Sequence, residues 1–158
     1  MSTRTLSRAA LIEGARQALP LALSIFAYGL VFGVLAGQAG LSAPESLLMS
    51  MLVFAGSAQF VALGLWVAPL PVVPIVLTTL VVNVRHVLMG AALRPVLDDL
   101  PRRLAYASVF FMTDESWALT MSESAAGRGG SGFFIGSSLT MYVAWFSSTL
   151  VGRTLGGA

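Results

Sequence analysis

The apolar positions of this chain fall in long blocks. No charged side chain occurs from Gln17 to Pro44, and none from Ser46 to Val84. A bilayer core takes about 20 apolar residues per helix, and a soluble helix rarely stays apolar on every face. The blocks therefore predict membrane helices. Segment one covers about 18–36. A loop, "GQAGLSAPES", follows at 37–46, in which Ser42 or Ala43 before Pro44 starts a helix with Glu45 at the positive end of its dipole. Segment two runs from Leu47 to about Trp66 and is interrupted by "FAGSAQF" at 54–60. The prolines of "APLPVVP" end it. Segment three covers about 72–93, and "RPVLDDLPRR" is a polar turn. Segment four runs from Leu104 to about Met121, "SESAAGRGGSG" is a flexible connection, and segment five covers about 133–151. No repeat is obvious by eye.

The predicted fold is all-α: a polytopic integral membrane bundle of about five hydrophobic segments, one broken or re-entrant around residues 54–60. Residues 1–17 read as a cytoplasmic lead-in and 18–158 as the transmembrane domain. Composition agrees, with 56% hydrophobic residues, 10% charged and a mean hydropathy of +0.84. Soluble domains carry about 25% charged residues. Without cysteine, disulfides, thiolate metal sites and thiol catalysis are excluded. The basic start resembles a signal peptide, but the following apolar run is too long and lacks a cleavage site. A net charge of +2 with no basic cluster gives no footprint for nucleic acid. One histidine makes no metal site, and nothing in the pattern calls for a cofactor.

Arginine placement bears on topology. If all five segments cross, Arg4, Arg8, Arg16 and Arg128 lie on one side and Arg94, Arg102, Arg103 and Arg153 on the other. That even division opposes the positive-inside tendency. If residues 46–93 make one net crossing, all of these except Arg128 are cytoplasmic, with the N-terminus. The second arrangement is favoured, since non-helical backbone at membrane depth is tolerated where it lines a cavity.

The polar residues inside the apolar blocks carry the candidate chemistry. Gly29, Gly33 and Gly37 share one helix face, the pattern of close membrane-helix packing. In segment two, Gly56, Ser57 and Gln59 let the backbone open, with Phe54 and Phe60 flanking. In segment three lie Asn83, Arg85 and His86; in segment four, Asp114 and Glu115. Placing an arginine at a bilayer centre costs about 2.5–3.5 kcal/mol on insertion scales, so it faces a cavity or a partner. Counted from a turn centred near residue 99, Arg85 and Asp114 reach similar depth in an antiparallel hairpin, with Glu115 as the adjacent alternative. Such a pair either fixes helix register or lines a path for a charged or zwitterionic solute. His86 titrates near neutral pH and suits proton coupling, or else packs as a hydrogen-bonded histidine. Trp117 and Trp145 read as anchors or packing. Ser57, His86 and Asp114 supply the residue types of a hydrolytic triad, but no nucleophile motif supports them.

"LVFAGSAQF", "NVRHVLMGAAL" and "TDESWAL", in that order after a glycine-rich first helix, resemble the AzlC family of large subunits of bacterial branched-chain amino acid exporters. The resemblance covers the chain from about Glu13. It implies a secondary transporter of the cytoplasmic membrane exporting leucine, isoleucine and valine, sometimes methionine, driven by the proton motive force. It also implies a small hydrophobic AzlD-type partner subunit. Family members generally continue with membrane segments beyond the fifth, whereas this sequence ends there. The alternative to an exporter is a channel or a non-transporting assembly subunit whose buried ion pair is structural.

Overall fold

In the computed structural model, which describes residues 6–156, three of the apolar blocks become single long helices. They are α1 (Arg8–Gln38), α4 (Val72–Leu97) and α7 (Ser131–Gly156), each long and apolar enough to cross a membrane. The other two blocks are each broken into two short helices: α2 (Ala43–Leu52) with α3 (Gly56–Gly64), and α5 (Arg102–Val109) with α6 (Asp114–Ala125). Among the described residues every element is helical. The expected interruption in segment two is present, centred on 53–55 rather than on 54–60. The expected continuous segment four is not present. Its helix stops at Val109 and restarts at Asp114. α1 also reaches back to Arg8 through stretches read as a lead-in, while Arg4 lies outside the described residues.

Local chemistry accounts for the ends. Ser42 caps α2 in a reciprocal capping box with Glu45, as the Ser-Ala-Pro-Glu pattern predicts. The Ser42 hydroxyl and backbone amide hold the Glu45 carboxyl below its ordinary value. After α1, Gly40 takes the left-handed conformation (φ 86°), and Leu41 N donates to the Ala36 carbonyl, a glycine-terminated stop. Thr113 caps α6: it accepts from Ser116 N, and Thr113 N donates to Ser116 Oγ. Thr113→Ala removes that cap and the bond its hydroxyl donates to Met141 Sδ. The expected result is a loss of about 1 kcal/mol, read as a lower thermal midpoint, with Thr113→Ser close to the parent.

The chain divides into two compact units. One holds the residues up to Leu23 with His86–Val143; the other holds Ser24–Arg85 with the residues from Ala144. In the first, Leu93, Val96, Leu97, Met112 and Phe134 form a buried core on which Met89, Val109 and Trp117 pack. Ser131 Oγ donates to Asp99 at 2.7 Å, tying the start of α7 to the turn after α4. Arg128 makes two 2.8 Å bonds to Glu123 in the α6–α7 connection, holding that carboxyl low. The stretches of α1 and α7 in this unit meet at Gly14 against Phe133 and Gly136 against Leu11.

In the second unit the same two helices meet again, Leu30 against Gly152 and Val34 against Gly156. Within this unit α1 and α7 run parallel. Gly29 and Gly33 abut the backbone or side chains of Trp145, Ser148 and Thr149, which is the close packing the glycine spacing predicts. The N-terminal stretch of α4 belongs to this unit with the C-terminal stretch of α1, and the rest of α4 belongs to the first unit. Arg8, Arg16, Arg94, Arg102, Arg103 and Arg128 all belong to the first unit.

An internal repeat, missed in the sequence, follows from the element bounds. α1 and α4 end at Gln38 and Leu97, and α4 and α7 begin at Val72 and Ser131, an equal spacing of about 59 residues of the kind that marks repeated units. α2 and α5 begin at Ala43 and Arg102, five positions after those ends, and α3 and α6 begin at Gly56 and Asp114. Thr78-Thr79-Leu80 and Val84 of α4 fall at the places of Ser137-Ser138-Leu139 and Val143 of α7.

Candidate functional site

α4 has two faces. Val73, Leu77, Leu80, Val84 and Val87 form an exposed, wholly apolar stripe that suits lipid. Thr78, Thr79, Asn83, Arg85 and His86 all lie on the opposite, half-buried side. Helical period thus answers why charged residues sit in an apolar run: they share the face turned inward.

In the unit ending at Arg85, the break between α2 and α3 sets the geometry. Gly56 and Ser57 form the first turn of α3, and Arg85 Nη2 donates to Ser57 Oγ at 3.0 Å. Ala55, at the helix start, has no side chain to cap the first-turn amides. That end carries the positive pole of the helix dipole. A guanidinium beside it gives a locally cationic corner suited to a carboxylate. Two positions along, Gln59 is fully buried. Its Nε2 donates to Ser50 Oγ at 3.3 Å, and Ser50 shares a 3.0 Å bond with Thr149 Oγ1, which donates to the Trp145 carbonyl at 2.9 Å. This chain fixes α2, α3 and α7 together. Gln59 Oε1, Asn83 Oδ1 and Trp145 Nε1 are buried without a hydrogen-bond partner.

Aromatic rings wall the same corner. Trp145 stacks on Phe32 (5.7 Å, 28°) and meets Phe60 edge-on (6.4 Å, 82°). A methyl group at Gly56 would reach 3.0 Å from the Trp145 ring, so any larger residue needs the ring to give by a few tenths of an ångström. Of the phenylalanines expected to flank the motif, Phe60 joins this cluster. On the opposite flank a cleft of about 270 Å³ opens between α2, α3 and α4. Met49, Val53, Ala58, Ala62 and Val76 line it, and it is almost purely apolar. Ala58 stands between Ser57 and Gln59, so α3 presents polar and apolar surfaces within one turn.

The other unit holds His86, Asp114 and Glu115, all half-buried. Asp114 and Glu115 occupy the first turn of α6, where the dipole stabilises their charge. Arg85 closes one unit, whereas Asp114 belongs to this one. Trp117 Nε1 donates to the Met89 carbonyl at 3.1 Å, a structural role. The sequence reading missed Ser50, Thr149 and Phe32. Lone hydroxyls in apolar helices usually bond their own backbone, so nothing singled these out.

The AzlC protein family matches residues 20–158. The chain belongs to the AzlC family. It is 28% identical over 151 residues to the inner membrane protein YgaZ of Escherichia coli, covering 94% of this chain and 62% of the relative. It is 29% identical over 153 residues to an uncharacterized membrane protein of Archaeoglobus fulgidus, covering 96% and 66%. It is 27% identical over 146 residues to the branched-chain amino acid transport protein AzlC of Bacillus subtilis, covering 89% and 57%. This AzlC-family chain spans less than two thirds of the length of these relatives. No solved structure matches it.

Proposed function

We propose that this chain is a subunit of a secondary transporter that exports branched-chain amino acids, leucine, isoleucine, valine and also methionine, from the cell. The observation that carries the reading is the first turn of α3. Arg85 and the uncapped amides offer a carboxylate site beside Ser57, and an almost purely apolar cleft opens next to Ala58. An amino acid with an aliphatic side chain needs these two surfaces within one molecule's length. The Gln59 carbonyl oxygen, buried without a partner, accepts from the ammonium group. Asn83 orders the polar face of α4. In the other unit, His86, Asp114 and Glu115 carry the coupling proton, so that export draws on the proton motive force. Transport named for the Bacillus subtilis relative supports the substrate class.

In this proposal α1, α4 and α7 cross the cytoplasmic membrane, while α2–α3 and α5–α6 enter and leave it on one side each. The end bearing Arg8, Arg16, Arg94, Arg102, Arg103 and Arg128 faces the cytoplasm, following the positive-inside tendency. A small AzlD-type membrane subunit completes the transporter. The absence of cysteine makes topology directly testable. Single cysteines replacing Ser7, Ser124 and Thr154 are expected to divide two to one: Ser7→Cys and Ser124→Cys label only from the cytoplasm, and Thr154→Cys only from outside. Outside labelling of Ser124→Cys would contradict the α5–α6 part of the reading.

Export itself is tested in a bacterium lacking its own branched-chain exporters, fed leucine- and valine-containing peptides, with and without the small subunit. Faster efflux that collapses with a protonophore is the expected result. Unchanged efflux with the protein inserted in the membrane would contradict it.

A further inference from the structure

The α2–α3 corner differs from its repeat counterpart in a way that bears on movement. At the corner, Val53 still follows the helix, and Phe54 then takes a left-handed backbone (φ 38°). That position after a helix normally holds glycine, because a side chain there crowds the following carbonyl. Phe54 and Ala55 are both buried, so packing holds the strained turn. The first amides of α3 receive no cap. At the α5–α6 corner, Phe110 has an ordinary helical backbone, and Thr113 with Ser116 closes a full capping box. One corner is strained and uncapped, and the other is relaxed and capped.

We infer that the residues 53–57 corner is a hinge, with the buried Gln59–Ser50–Thr149 hydrogen bonds as the clasp that keeps it closed. The clasp ties α3 to α2 and α7 on the far side of the break, so its release frees the first turn of α3. Release lets Phe54 leave the left-handed region and draws Gly56 and Ser57 away from Arg85. The hinge controls whether Ser57 stays bonded to the Arg85 guanidinium. Gly56 is the fitting element: the absence of a side chain lets the closed corner lie against Trp145 without displacing its ring.

The inference rests on local opening and needs no knowledge of what is transported, so its test is separate from the transport assay. Hydrogen–deuterium exchange with mass spectrometry is measured on the full chain in lipid nanodiscs. Amides 56–58 are expected to exchange at least tenfold faster than amides 114–116. Ala55→Ser supplies the missing cap and is expected to slow exchange at 56–58 about fivefold, the equivalent of a typical cap. Ser50→Ala breaks the clasp and is expected to speed it by a similar factor, with 114–116 unchanged in both. Equal protection of the two corners, or exchange at 56–58 that neither substitution moves, would overturn the hinge.

Discussion

Arg85→Ala is expected to lower branched-chain amino acid efflux between tenfold and a hundredfold while the protein still inserts and accumulates in the membrane. A charge-assisted bond from a guanidinium to a carboxylate is worth about 1.5–3 kcal/mol, which corresponds to that range. The same substitution removes a residue that costs about 2.5–3.5 kcal/mol to place at membrane depth. Arg85→Lys keeps the charge but loses the planar fork, so an intermediate loss is expected. Ser57→Ala leaves the guanidinium in place and should cost less than either. The decisive pattern is the pairing of efflux with thermal midpoint across these variants. A midpoint that falls in Arg85→Ala while efflux stays at the parental rate would assign Arg85 a structural role instead.

Gly33→Leu is expected to abolish folding in the membrane. A side chain at Gly33 would run into the Thr149 carbonyl, and its first carbon would lie 2.6 Å from Arg153 N and 2.9 Å from the Gly152 carbonyl carbon. All three are backbone atoms, which cannot swing aside as a flexible side chain can. Overpacking of this kind costs about 1–3 kcal/mol for small insertions, and a leucine against backbone exceeds that. Gly152→Leu meets the Leu30 carbonyl and should behave alike. Gly37→Ala is the control: its new carbon would meet only the Arg153 side chain, at 3.4 Å. It should be neutral or slightly stabilising, since alanine is favoured over glycine in a helix by about 1 kcal/mol. Size-exclusion profiles and thermal midpoints in detergent distinguish the three.

The glycine face illustrates what was legible in the sequence. Its fourfold spacing at Gly29, Gly33 and Gly37 needs only helical period to be read, and α7 does lie against it. The start of α2 was equally plain, because Ser42, Pro44 and Glu45 each carry a local capping preference. The small residues of "FAGSAQF" announced a break in the second apolar block. The break in the fourth block carried an equivalent signal that hydropathy concealed. Thr113 and Ser116 around two acidic residues form a capping box, yet they sit between apolar runs that read as one helix. The repeat of about 59 residues escaped notice because it survives in element lengths and in few side chains.

At the site, residue types were more legible than neighbours. An arginine in an apolar run needs a polar environment on physical grounds alone. Its bond to Ser57 required the fold, since the two are separated by the whole of α3 and the start of α4. The clasp of Gln59, Ser50 and Thr149 joins residues far apart in the chain, and no local pattern encodes such contacts.

The central claim, that the chain moves branched-chain amino acids through a site built on Arg85, is tested most directly in proteoliposomes containing the chain and the proposed AzlD-type subunit. Labelled leucine is loaded inside, an inward proton gradient is imposed, and release is timed for the parent and for Arg85→Ala. The account predicts release that is accelerated by the gradient, saturates with leucine, and is lost in Arg85→Ala. Release equal to that of protein-free vesicles, or release that Arg85→Ala leaves untouched, would contradict it.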